Sequence, residues 1–336
     1  MIELLFLSKE QVETTALSAQ EVLDTIEMGL KAHGDKRVIM PSKDHLVLEY
    51  PFRHFNILKG YVEPIQVAGV KVIGDFAKNY THNLPSELAL LTLYQPETGA
   101  PMAIMDATLI TWMRTGAVTA IGAKYLARKD SRVLGHIGAR GTARYNLPLL
   151  DHLFDFEEIR VTSKRPESRA RFAAEMSERL GKAVLVKETT EETVRDADII
   201  IDASRLVEPT ILVRDSWVKP GALLEAYGAV ASTERTLPFT VDKMVVDDWN
   251  QAQKSPMGQF TDLIQAGELR TEHIYAEIGE VVAGHKPGRT SAQERILFWH
   301  KGFAVSDIVL GHLVYQKALE KGIGTRLAYY ETPQDM

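Results

Sequence analysis

Apolar residues from position 133 onward gather in short blocks set between stretches with helical spacing. Val133 to Ile137 is the first block, and Glu158-Ile-Arg-Val-Thr162, Ala183-Val-Leu-Val-Lys187 and Asp198-Ile-Ile-Ile-Asp202 follow it. Between them lie a helix from about Pro166 to Leu180 and a helical turn at Glu191–Arg195. Strands alternating with helices at this spacing predict a parallel, doubly wound sheet of the α/β class.

Upstream the pattern differs. Ser18-Ala-Gln-Glu21 has the form of a capping box for a helix running to about His33, with Val22, Ile26, Met28 and Leu30 on its apolar face. Strand-like pieces follow around Leu46–Tyr50, Phe55–Val62 and Val67–Ile73. Glu87–Tyr94 and Pro101–Met105 then flank Gln95-Pro-Glu-Thr-Gly-Ala100, whose Pro and Gly mark a hairpin turn. This predicts a smaller α+β domain with a mostly antiparallel sheet. A small, apolar helical stretch from Leu109 to Ala127 connects it to the parallel half. A long helix from Gly302 to Lys321, stopped by Gly322, returns to it. The expected division is 1–116, rejoined by 305–330, and 117–304.

The first strand of the parallel half stops at Gly138, turns through Ala139-Arg140-Gly141 and enters a helix at about Thr142. Such a turn brings free backbone N–H groups and the positive end of a helix dipole to one point, which suits a phosphate. Of the G-x-G-x-x-G/A fingerprint, Gly138 supplies the first glycine and Ala143 the last, while Arg140 stands where the second belongs. Within its alternating context the turn makes 117–304 a Rossmann-like dinucleotide-binding domain. Arg140 is expected to meet the pyrophosphate itself.

Composition narrows the class further. The 336 residues carry a net charge of -6, with 45% hydrophobic and 25% charged residues, so the chain offers no basic footprint for nucleic acid or an anionic membrane. No apolar run approaches the ~18 residues of a membrane helix, and the first residues lack a charged secretion signal. The absence of cysteine excludes disulfides, thiolate metal sites and a cysteine nucleophile, and fits a cytoplasmic protein. The histidines, among them His45, His54, His82, His136, His273, His285 and His300, are scattered without metal-ligand spacing, so no metal is assigned. His136, inside a strand, reads as a core residue with a satisfied hydrogen bond.

Several fragments together resemble the ornithine cyclodeaminase and mu-crystallin family, which includes alanine dehydrogenases of that fold and ketimine or imino-acid reductases. They are Gly69-Val-Lys71 with Asn79 and Leu84-Pro85; Thr98-Gly-Ala-Pro101; Thr111-Trp-Met-Arg-Thr-Gly-Ala117; the phosphate turn; Ala197-Asp-Ile with Glu208-Pro209; and Ile278-Gly-Glu with Gly284-His-Lys-Pro-Gly-Arg289. The resemblance covers most of the chain. It implies an NAD(P)-dependent enzyme acting at the carbon of an amino-acid amine or imine, with its active site between two domains and a homodimer formed through the first.

An α-imino acid needs a cation for its carboxylate, a proton donor near nitrogen and a hydride donor. Arg114 suits the carboxylate, because a guanidinium grips it bidentately and stays charged. Lys71, flanked by Val70 and Val72, alternates to the opposite strand face. In a closed cleft beside other cations its pKa falls toward neutrality, and the resemblance makes its counterpart a substrate contact and acid/base. Lys43 and Arg53 are further candidate cations for the substrate carboxylate. Cofactor contacts are expected at Thr115, at Gly138, Ala139, Arg140, Gly141 and Thr142, at Ala203 and Ser204, and at Gly228 and Ala229.

Two details bear on the chemistry. The end of the second parallel strand, roughly twenty residues past the glycine turn, has no acid for a ribose hydroxyl, whereas Ser163, Lys164 and Arg165 suit a 2′-phosphate. NADP(H) is therefore favoured over NAD(H). The cyclodeaminase relatives carry an aspartate for the substrate amine where this chain has Val230, in Ala226-Tyr-Gly-Ala-Val230. Asp247 and Asp248 end a strand and are expected to cap the following helix. The expected activity is reduction of an α-imino acid, or a keto acid plus amine, or the reverse oxidation. The alternatives are cyclodeamination and cofactor binding without turnover.

Overall fold

The computed structural model describes residues 2–49 and 53–331. The chain divides into two compact units, Met1–Arg114 with Phe303–Met336, and Thr115–Gly302. It opens with β1 (Ile2–Leu7), α1 (Lys9–Thr14) and α2 (Ala19–Gly34). The Ser18 hydroxyl accepts from Glu21 N, and the Glu21 carboxylate accepts from Ser18 N, so α2 begins at its capping box. Next come β2 (Val38–Ile39), β3 (Asp44–Glu49), β4 (Arg53–Val62), β5 (Val67–Phe76), β6 (Glu87–Tyr94), β7 (Pro101–Asp106) and α3 (Thr108–Leu126). Tyr50, at the end of the strand expected around Leu46, lies outside the described residues.

The parallel half follows as β8 (Val133–Ile137), α4 (Ala143–Leu153), β9 (Glu158–Thr162), α5 (Pro166–Leu180), β10 (Val184–Val186), α6 (Thr190–Val194), β11 (Ile199–Asp202) and β12 (Leu223–Ala226). It continues with α7 (Leu237–Thr240), β13 (Lys243–Val246), α8 (Trp249–Lys254), α9 (Thr261–Gln265), β14 (Ala276–Glu277), α10 (Ile278–Val282) and β15 (Ile296–Trp299). The chain closes with α11 (Ala304–Lys321) and β16 (Thr325–Tyr330).

In the first unit the strand order is β16-β1-β7-β6-β5-β4-β2, with β3 paired to β4. The β4, β5, β6 and β7 pairings are antiparallel, as the hairpin turns require. The first residues, which carry no strand expectation from the sequence pattern, form β1, parallel to β7 and antiparallel to β16. Helix α11 packs on β4, β5, β6 and α2. Its first two turns, Ala304 to Gly311, are buried all round, which accounts for their near-continuous apolar sequence.

The second unit is a parallel sheet in the order β10-β9-β8-β11-β12-β15-β13-β14. Its central strands β11, β12 and β15 are buried on both faces, so they read as largely apolar runs rather than alternating ones. Ile200, Leu224, Met244, Leu297, Trp299 and Phe260 belong to its core. The strand order reverses direction between β8 and β11, and ligands of such sheets bind at the carboxyl ends beside that reversal. No helix among the described residues is long and apolar enough to cross a membrane.

Candidate active site

Lys71 lies on the buried face of β5 with Val67, Gly69 and Ile73, while Val72 on the other face is exposed. Alternation thus separates Lys71 from its flanking valines, but it is the lysine that faces inward. Its side chain is 1% exposed and its Nζ donates to Asp307 Oδ1 at 2.6 Å and to Thr111 Oγ1 at 3.1 Å. Arg114 Nε donates to the same Asp307 oxygen at 3.0 Å. Thr111 and Arg114 sit three residues apart on α3, which brings both to one helix face.

Asp307 was not among the candidate residues of the sequence analysis. It stands in the first turn of α11, where the helix dipole favours a carboxylate, and it is fully buried. A signal existed: a single acid inside Ala304-Val-Ser-Asp-Ile-Val-Leu-Gly311, an otherwise apolar stretch, must find a cationic partner to be buried. Two glycines bring the helix close enough. A Cβ at Gly69 would lie 2.8 Å from Ile308 Cγ1, and one at Gly311 would lie 2.2 Å from Leu91 Cδ2. Gly69 shares Lys71's face, so the close approach falls beside the ion pair.

Burial lowers the Lys71 pKa to about 8, since desolvation outweighs the opposing pull of Asp307, and Arg114 and Lys43 push it down further. Two cations share one carboxylate, so the cluster keeps a positive excess in a desolvated place. That suits an anionic substrate group. Asp307 accepts from Arg114 Nε, and the Nη1/Nη2 edge of the guanidinium is one that a second carboxylate can grip bidentately.

Lys43 belongs with this group: β3 sets Asp44 opposite Ile57 and β4 sets Leu58 opposite Lys71, so the position before Asp44 falls in the Lys71 row. Arg53 is not brought to it. Opposite Phe76, it is five positions from Leu58, an odd number, so it projects to the other face and stands roughly 17 Å along the strand. Arg53 is also exposed.

In the second unit the expected cofactor residues sit at the carboxyl ends of β8, β9, β11 and β12. Gly138 has φ +109°, and a Cβ there would lie 2.5 Å from the Ala203 carbonyl, so the turn after β8 and the turn after β11 touch as only glycine allows. Ser204 N donates to Asp202 Oδ1 at 3.0 Å, which shapes the second turn. Arg140 is exposed, and Thr142 precedes the first residue of α4 without capping it. Gly228, with φ +122°, and Ala229 follow β12 by way of Tyr227.

After β9, Lys164 and Arg165 are exposed, and the turn is braced by Arg169, which donates to the Ser163 carbonyl at 3.1 Å. Thr115 is buried beside Arg114 in α3, and its carbonyl accepts from Thr119 Oγ1. Asp248 caps α8 through Gln251 N, and Asp247 accepts from the backbone N–H groups of Lys301 and Gly302. His136 is buried, with Nδ1 3.1 Å from the Gly138 carbonyl. The N–H groups of Ala143, Arg144 and Tyr145 already donate to the carbonyls of Arg140, Gly141 and Thr142, so it is the glycine turns, the positive end of α4 and the exposed cations that fit a dinucleotide across the reversal of strand order.

The sequence profile of the ornithine cyclodeaminase/mu-crystallin family matches residues 2–322. Alanine dehydrogenase of Archaeoglobus fulgidus is 32% identical over 332 residues, covering 98% of this chain and 99% of the relative. Among solved structures, Thermococcus litoralis Δ1-pyrroline-2-carboxylate reductase in complex with NADH and L-proline aligns with a TM-score of 0.89 at 32% identity, covering 96% of this chain and 99% of that one. An archaeal alanine dehydrogenase dimer with bound NAD aligns with a TM-score of 0.89 at 31% identity, covering 98% and 100%.

Proposed function

Because the chain belongs to the ornithine cyclodeaminase/mu-crystallin family, we propose that it is an NAD(P)H-dependent reductase of α-imino acids, forming an amino acid or catalysing the reverse oxidation. The observation that carries this reading is the sharing of one buried carboxylate, Asp307, by Lys71 and Arg114. In Arg114 and Lys43 it provides cations for the substrate α-carboxylate, and in Lys71 an ammonium able to give up a proton near neutral pH. The reduced cofactor, when bound, supplies a hydride to the imine carbon. Lys71 Nζ delivers the proton to nitrogen, Asp307 and Thr111 orient that Nζ, and Arg114 holds the carboxylate. Arg53, on the other sheet face, has no part in this reading.

The turns at Gly138–Thr142, Ala203–Ser204 and Gly228–Ala229 would hold the dinucleotide, with Thr115 beside them. Ser163, Lys164 and Arg165 favour NADP(H). Val230 weighs against cyclodeamination: a terminal ammonium facing valine loses water without gaining a partner, a loss of several kcal/mol. A homodimer in the cytoplasm completes the reading. Leu46, Val72, Leu88 and Leu90 are exposed on the sheet face away from Lys71, an apolar area suited to a second copy.

The test is a screen of a preformed cyclic imino acid, and of keto acids with ammonia or methylamine, followed by reduced-cofactor absorbance. Stoichiometric cofactor oxidation with amino-acid formation is expected. Proline and ammonia formed from ornithine without net cofactor consumption would establish the cyclodeaminase instead. Tight cofactor binding without turnover of any substrate would leave a binding protein.

A further inference from the structure

A line of polar contacts in the second unit takes no part in the proton transfer described above. His136 places Nδ1 3.1 Å from the Gly138 carbonyl and Nε2 3.0 Å from Asn146 Nδ2. Asn146 Nδ2 is also 2.8 Å from Tyr227 Oη, which lies 3.0 Å from Thr142 Oγ1. The Tyr227 ring lies 4.7 Å from that of His300, tilted by 44°, and His300 Nε2 is 3.2 Å from Thr119 Oγ1 on α3. Thr142 opens α4, and Tyr227 immediately precedes Gly228 and Ala229.

The proton positions along this line follow from its ends. Burial holds the His136 pKa down to about 4, so the ring is neutral and carries one proton. The Gly138 carbonyl can only accept, so that proton is on Nδ1 and Nε2 is an acceptor. Asn146 must therefore turn its NH2 toward Nε2, as it does, and its second hydrogen goes to Tyr227 Oη. Tyr227, having accepted there, has one proton to give, and Thr142 Oγ1 receives it. The Thr142 hydroxyl makes no cap bond to its own helix. Its own proton is thus directed away from Tyr227, at the turn where α4 begins.

We infer that Tyr227 is a positioning residue for the dinucleotide: its hydroxyl orients Thr142 as a donor to the cofactor diphosphate and ties the phosphate turn to the Gly228–Ala229 segment. This rests on the cofactor placement proposed above. The same direction of donation runs from Asn146 through Tyr227 to Thr142, so loss of either hydroxyl removes the same interaction.

Equilibrium titration with NADH, NADPH and ADP-ribose tests it without turnover. Tyr227→Phe is expected to weaken all three about ten-fold, since each carries the diphosphate. Thr142→Val should do the same, Thr142→Ser should bind like the wild type, and the double variant should lose no more than either single change. The Thr142 pair keeps the test decisive if Tyr227→Phe folds poorly by circular dichroism. Unchanged affinity in a folded Tyr227→Phe protein, fully additive losses, or Thr142→Val binding as tightly as Thr142→Ser overturns the inference. A wild-type protein that binds none of the three ligands would refute the cofactor reading itself.

Discussion

Lys71 and Asp307 form a 2.6 Å ion pair in which neither side chain reaches solvent, the lysine being 1% exposed and the aspartate 0%. Desolvation nevertheless prevails at the lysine, whose pKa falls from 10.5 to about 8. For reduction the protonated form is the competent one. Its population is full below the folded pKa and is lost as pH rises through it. With a preformed cyclic imino acid, which removes the titration of ammonia from the assay, kcat for reduction should be level below about pH 8 and fall above. The oxidative direction should rise through the same pH. A reductive rate that still climbs above pH 9 would contradict Lys71 as the proton donor.

Asp307 raises the Lys71 pKa, so its removal should move that limb to lower pH. Asp307→Asn, nearly isosteric, is expected to shift the limb downward and cut kcat by at least ten-fold while cofactor affinity stays nearly constant. Asp307→Ala leaves two buried cations facing each other and should cost about 3 to 5 kcal/mol of stability. An unchanged pH profile in folded Asp307→Asn would exclude the coupling.

Lys71→Met and Arg114→Ala should each lower turnover by orders of magnitude. They should differ in kind. Loss of Arg114 removes a ground-state contact and should raise KM as well, whereas loss of Lys71 should act mainly on kcat. Arg53→Ala, on the opposite face from Lys71, should change neither by more than about two-fold. A KM defect in Arg53→Ala matching that of Arg114→Ala would overturn its placement.

Gly69→Val inserts a side chain where a Cβ already lies 2.8 Å from Ile308. Helix α11 must shift away from β5, lengthening the Lys71–Asp307 pair, with an overpacking cost of about 1 to 3 kcal/mol. A lower melting temperature together with a displaced pH limb is expected. Destabilisation with an unaltered limb would show that the close approach serves packing alone.

Arg165→Asp tests cofactor choice. Arg165 and Lys164 are exposed after β9, and a carboxylate at 165 would repel a 2′-phosphate and accept from a 2′-hydroxyl. The ratio of Michaelis constants should move toward NADH by at least ten-fold. An unchanged ratio would reduce both cations to a solvated turn.

The parallel strands, their glycine turn and the helix caps were legible in the sequence because they depend on local order. Four apolar blocks dictate strands wherever they pair, Ser18 and Glu21 cap a helix three residues apart, and Gly138 is needed because its backbone turns at φ +109°. Lys71 and Arg114 stood out by residue type and by the motifs around them. Their partner did not. Asp307 is 236 residues from Lys71 and 193 from Arg114, and only the packing of α11 on the sheet brings the three together. Register alone separated Lys43 from Arg53, since shifting a residue by an odd number of positions moves it to the other face of a strand. The same holds for Thr142 and Tyr227, 85 residues apart and in contact through the meeting of two strand ends. Short-range periodicity determined the elements, and long-range burial decided which charges had to share a site, because a charge taken out of water must find its partner wherever the chain folds one against it.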